Sequence, residues 1–264
     1  MIARKVYDSK FARWNNKWHA PYGRLLVKRF LPKKYFTLPA FCNLVGMFSF
    51  QPNNSTRCFE YPWAFYAADI QKGMHVVDLG GGYSGFPLML SKIGCHTVNV
   101  DPMKDYSDFK HYQGDHERQY QRLNALFGTQ VVLKQCTLQE SGIRSLSVDR
   151  IFCLSVIEHL DEAARLEVMK ECFRILKPEG RMILTIDLFL DLFPFTTRRS
   201  NQLGENISIK KLLGGTGFKI EEGVMNELYG FETFNVDSIQ SNLGEYLIGE
   251  SYPTLVQAFV LKKI

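Results

Sequence analysis

The run His75 to Gly85, HVVDLGGGYSG, constrains this chain more than any other feature, because an apolar stretch stops there in a glycine turn. Val76, Val77 and Leu79 read as a buried strand. Gly80, Gly82 and Gly85 then satisfy GxGxxG directly after it. Glycine tolerates positive φ and lets the backbone come close to a ligand. An apolar helix through Leu88, Met89 and Leu90 and a second strand, HTVNVDP, complete a β-turn-α-β unit. Asp101 lies 21 residues beyond the first glycine, at the end of that strand, where a carboxylate can accept hydrogen bonds from both hydroxyls of a ribose. Turn and acid alone admit a nicotinamide or flavin dinucleotide.

Asp78 separates the readings. It stands two residues before the first glycine, at the strand end. A carboxylate there repels a pyrophosphate and attracts the ammonium and sulfonium of S-adenosylmethionine.

Alternation continues downstream. The pattern predicts a helix with Pro62 in its first turn, running through Trp63, Phe65 and Tyr66 to Ile70. It further predicts a helix at 119–127, a strand at 131–136, a strand at 150–155, a helix at 161–176 and a strand at 181–186. Near the C-terminus come a helix at 209–213 and strands at 218–222 and 255–261. Strands alternating with helices make a mainly parallel sheet covered on both faces.

With these motifs in order, the chain resembles the class I S-adenosylmethionine-dependent methyltransferases, in particular their small-molecule branch. VVDLGGGYSG (76–85), VNVDP (98–102), SVIEHL (155–160) and LKPEGRMIL (176–184) carry the resemblance, with Ser84 where the family often has a third glycine. It implies S-adenosylmethionine as cofactor, with Asp78, Gly80, Gly81 and Gly82 around its methionine part. Asp101 would meet the ribose, Pro102 or Met103 the adenine, and Ser155 would line the donor site through its backbone. The expected fold is α/β: a Rossmann-like, mainly parallel sheet of about seven strands with helices on both faces, an antiparallel last strand and an N-terminal helical cap. The methyltransferase domain is expected over 60–264, with acceptor-side insertions near 103–118, 187–206 and 225–252.

Residues 1–59 form a basic and aromatic arm. The first 34 residues hold ten Lys/Arg and one acid, Asp8, so the +5 net charge is concentrated there. Tyr7, Phe11, Trp14 and Trp18 share one helical face and Lys10, Arg13 and Lys17 another. Such a helix can lie on a membrane surface or approach nucleic acid; the preferred reading packs its aromatics on the main domain and leaves its charges solvated. The apolar run 38–50 is too short to span a bilayer and reads as a lid, linker or pocket wall. Six scattered cysteines without metal spacing argue for neither disulfides nor zinc, and with no secretory pattern at the start they point to the cytoplasm.

Methyl transfer from a sulfonium needs positioning first and a base only when the acceptor must lose a proton. His159, after the fourth strand, is the candidate base; the simpler reading is that His159 and Glu158 organise the strand-to-helix turn. Arg198 and Arg199, in the aromatic loop after the fifth strand, are candidates to clamp an acceptor carboxylate or phosphate. His111 and His116 read as exposed. A small-molecule acceptor leads. An RNA methyltransferase using the arm is the enzymatic rival, though the chain has no NPPY-type box and no Pro-Cys nucleophile pair. A non-catalytic binding module on this fold is the third reading.

Overall fold

A computed structural model describes residues 9–19, 46–50, 56–104, 115–249 and 252–263. Tyr7, His111 and much of the expected lid and of the 103–118 insertion lie outside the described residues.

Seven strands form one sheet: β1 (His75–Leu79), β2 (His96–Val100), β3 (Val132–Lys134), β4 (Val148–Leu154), β5 (Leu176–Phe189), β8 (Phe218–Glu222) and β9 (Thr254–Lys263). Their spatial order is β3-β2-β1-β4-β5-β9-β8. Strands β1 to β5 run parallel to their neighbours, and only β9 is antiparallel, pairing β5 from Arg181↔Lys262 to Phe189↔Thr254. A separate two-stranded hairpin consists of β6 (Ser200–Asn201) and β7 (Gly204–Glu205). The expected sheet, with its antiparallel last strand, is therefore present.

Side-chain alternation buries both faces. Val76, Phe152 and Leu154 join a core with the helices α2 (Arg57–Ala67), α3 (Gly85–Lys92) and α4 (His116–Phe127), while Val77, Ile151 and Cys153 face a core with α5 (Glu162–Ile175) and α6 (Ile209–Leu213). A last short helix, α7 (Val236–Ser241), packs Ile239 beside Leu188 and Leu255. Local chemistry starts several helices: Ser84, Asp115 and Asp161 accept from Phe86 N, Arg118 N and Ala164 N, and α4 stops at Gly128 with φ 62°.

The first helix, α1 (Ser9–Trp14), continues into a π-turn at Asn15–His19. Phe11 and Trp14 are buried, and Trp14 meets Phe48 edge-on at 5.7 Å. Lys10 stands over the Tyr66 ring at 3.9 Å. Phe11, Trp14 and Trp18 of the aromatic stripe thus pack on the main domain.

One boundary is corrected. Helix α2 begins at Arg57, five residues before Pro62, so the proline sits inside the helix and not in its first turn. Proline lacks the N–H that would bond the Cys58 carbonyl four residues earlier. Asn15 supplies the substitute: its Nδ2 donates to that carbonyl at 2.7 Å. Asn15→Ala is expected to cost about 1–3 kcal/mol, as for a buried acceptor left unmatched. In a melting experiment this lowers Tm by roughly 2–12 °C, whereas Lys17→Ala, at an exposed position, leaves Tm unchanged. A native Tm in the Asn15 variant would show that the proline gap is tolerated without it.

Candidate active site

The strand order reverses between β1 and β4, and the crevice beyond the carboxyl ends of such strands is where open α/β sheets bind ligands. A crevice of about 510 Å³ opens there. Asp78, Gly80, Gly81, Asp101, Pro102, Ser155 and His159 all line it, so residues separated by up to 81 positions converge. Gly82 and Met103, also expected at the site, are not part of this lining; each donates its N–H to Asp101.

Gly80 and Gly82 have φ of 65° and 50°, which explains why glycine is needed at those corners. At Gly80 an added Cβ would also approach Val156 Cγ2 to 2.7 Å. The turn is pinned from two sides. Gly82 N donates to Asp101 Oδ2 at 2.8 Å, and Met103 N to Asp101 Oδ1 at 2.6 Å. From beneath, the Gly82 carbonyl accepts from Asn99 Nδ2 at 3.0 Å and from the Tyr120 hydroxyl. Met103 and Ser155, both non-glycine, hold φ of 58° and 52° beside the crevice, a strained geometry that the surrounding bonds maintain.

Asp78 is 2% exposed and its Oδ2 has no hydrogen-bond donor among the described residues. Burial, reinforced by Asp101 and opposed by Arg57, pushes its carboxyl up to about 8. A buried acceptor without a donor, at the wall of a crevice, fits a cationic group.

Several contributors went unnoticed in the sequence. Arg57 and Tyr61 of α2 line the crevice. The Arg57 Nη1 reaches both oxygens of Glu60 at 3.0 and 3.1 Å and Ser155 Oγ at 3.2 Å. Ser155 Oγ in turn donates to Glu60 Oε1 at 2.8 Å, as does Thr185 Oγ1. Burial acting alone would lower the Arg57 pKa, but Glu60, Asp187 and Glu158 hold the guanidinium charged. Behind it, Glu158 accepts from Asp187 N at 3.0 Å and Tyr252 donates to Asp187 at 2.9 Å. Burial raises the pKa of both Glu158 and Asp187, reinforced by Asp187 at the first and by Glu60 at the second. The available signal was the Arg57/Glu60 pair, the first charges after the uncharged stretch 35–56.

His159 is at the exposed mouth. Its Nδ1 lies 3.0 Å from the Leu203 carbonyl in the β6–β7 hairpin. A carbonyl can only accept, so Nδ1 donates here and Nε2 is the ring atom left to accept a proton. Arg198 and Arg199 do not line this crevice: Arg198 donates to the Ser200 carbonyl and faces Asp191, and Arg199 lines a second cavity. His116, read as exposed, is half-buried, 2.6 Å from the Tyr83 hydroxyl.

Residues 77–184 match the family model of a methyltransferase domain. No curated protein matches the chain. Among solved structures, a protein from Pyrococcus horikoshii OT3 is 16% identical, with 89% of this chain and all of that one covered and a TM-score of 0.54. The 1,6-didemethyltoxoflavin-N1-methyltransferase of Burkholderia thailandensis, with its substrate and S-adenosylhomocysteine, is 13% identical over 78% of each chain, TM-score 0.53. A geranyl diphosphate methyltransferase in complex with S-adenosylmethionine is 13% identical over 78% of this chain and 86% of that one, TM-score 0.52. Residues 77–184 therefore carry a methyltransferase domain, and the fold is the one seen in these methyltransferases.

Proposed function

We propose that the chain transfers a methyl group from S-adenosylmethionine to a small-molecule acceptor, with this donor held in the crevice between β1 and β4. Asp78 would take the donor's ammonium, the turn Gly80–Gly82 its methionine part, Asp101 its ribose hydroxyls, and Pro102 and Met103 its adenine. Ser155 would border the methionine part through its backbone. Arg57, whose hydrogen bonds among the described residues all leave from Nη1, would meet the donor's carboxylate with the rest of its guanidinium. The donor brings a methyl group on a positively charged sulfur with a good leaving group, so the chain's own task is to fix the approach of the acceptor.

The observation that carries the small-molecule reading is the size and lining of the crevice, about 510 Å³. Aromatic and apolar walls from Tyr61, Phe86, Leu154 and Leu160 suit a compact organic acceptor.

His159 would remove the proton when the acceptor is a hydroxyl. For such an acceptor His159→Ala is expected to lower kcat about 10²–10⁴-fold. Donor affinity by calorimetry should stay within about twofold, the ring lying outside the proposed donor contacts. Wild-type turnover of a hydroxyl acceptor in the variant restricts His159 to organising the turn. The acceptor class is tested by methyl-release assays on neutral and charged metabolites beside a mixed RNA pool. Turnover confined to RNA, falling steeply with salt, would replace the small-molecule reading.

A further inference from the structure

The second cavity, about 250 Å³, lies between α5, the β6–β7 hairpin and α6. Its walls include Arg165, Arg199, Lys211, Tyr229, Ser208 and Phe193, with Glu162 and Glu205 as its carboxylates. Arg165 and Glu205 neutralise each other through a 2.8 Å ion pair. What remains is Arg199 and Lys211 against Glu162, a net positive lining.

The donors in this cavity are unspent. Among the described residues, the side chains of Arg199 and Lys211 have no carboxylate partner and the Tyr229 hydroxyl no acceptor. Ser208 Oγ accepts from Lys211 N, which leaves its proton to give. The Arg199 guanidinium lies over the Phe193 ring at 4.8 Å, which holds it without consuming its N–H groups. Two of the exposed large apolar side chains, Phe193 at 42% and Leu166 at 36%, border the same cavity. Unspent cationic donors beside exposed apolar surface are the recognition chemistry of an oxyanion carried on an apolar body.

We infer that this cavity binds a carboxylate or phosphate group through Arg199, Lys211 and Tyr229, with Phe193 and Leu166 contacting the apolar part of its bearer. The bearer is either the acceptor itself, which rests on the reading above, or a separate anionic effector. The hairpin is the wall shared with the active site, since its Leu203 carbonyl holds His159. Arg198, turned to Asp191 and Ser200, takes no part.

Inorganic phosphate and benzoate serve as probes, titrated into the full chain at constant ionic strength and followed by amide and arginine side-chain NMR shifts. Shifts centred on Arg199, Lys211 and Tyr229 are expected, with binding weakened about tenfold or more in Arg199→Gln/Lys211→Gln, as for two lost charge-assisted contacts. Affinity for S-adenosylmethionine should be unaltered in that variant, which separates this cavity's failure from failure of the donor site. Matched acceptors with and without a carboxylate then identify the bearer. A KM rise confined to the anionic member assigns the group to the acceptor; probe binding with no KM difference assigns it to an effector. Shifts absent from the cavity, or equal probe affinity in a double variant of native Tm, overturn the inference.

Discussion

Asp101→Ala is expected to weaken S-adenosylmethionine binding about 100-fold, from the loss of the two charge-assisted hydrogen bonds it is proposed to make to ribose hydroxyls, less what water restores. A second loss adds to the first. Both Asp101 oxygens also hold backbone N–H groups, from Gly82 and Met103, so its removal slackens the glycine turn and the strand end together. Asp101→Asn keeps one oxygen acceptor and the side-chain volume, and should lose only about tenfold. Calorimetry on variants with native near-ultraviolet circular dichroism reads the effect. Wild-type affinity in folded Asp101→Ala would remove Asp101 from the ribose.

Asp78→Asn is expected to lower donor affinity by about two orders of magnitude at pH 8.5, because an amide cannot neutralise the ammonium that the carboxylate is proposed to meet. The effect shrinks as the pH falls. In the free protein burial raises the Asp78 carboxyl from 3.8 to about 8, so at pH 7 it is mostly protonated and must release its proton when the cation binds. Wild-type affinity should therefore climb by up to about tenfold per pH unit between pH 6 and 8 and then level off, while the variant's stays flat across that window. The same shift has the opposite sign for the unliganded fold. Folded Asp78 binds its proton more tightly than the unfolded chain does, so stability falls as the pH rises from 3.8 through about 8. Tm measured over that range should fall less steeply in Asp78→Asn, with the residual slope coming from Glu158 and Asp187, whose carboxyls are also raised. Wild-type affinity independent of pH would sink the proposed ammonium contact.

The β1-α3-β2 unit was legible because its determinants are local: an apolar strand, glycines at positive φ, a serine cap and an acid at the next strand end. What distant contacts decide was not. The predicted strand at 131–136 is trimmed to Val132–Lys134, since Val131 N donates to the Asn124 side chain and Cys136 N to the Lys134 carbonyl in a turn. Asn99 looked like an ordinary polar residue in VNV, yet it is fully buried and braces the Gly82 carbonyl. Arg57, Glu60, Ser155 and Asp187 come from three segments up to 130 positions apart, and no spacing rule announces a cluster of that kind. The paired Arg198 and Arg199 read as one feature, but neighbouring side chains in an extended loop diverge, and only Arg199 faces a cavity.

The bond from Asn15 to the Cys58 carbonyl ties one wall of the crevice to residues 9–19. Helix α2, which presents Arg57 and Tyr61 to the crevice, is completed by a residue 43 positions upstream. Detachment of α1 would therefore uncover Trp14 and reopen the proline gap in one event, loosening that wall from outside while the sheet stays intact. Amide exchange in α1 and in the middle of α2 should then share a single opening rate, faster than that of β1 and β4.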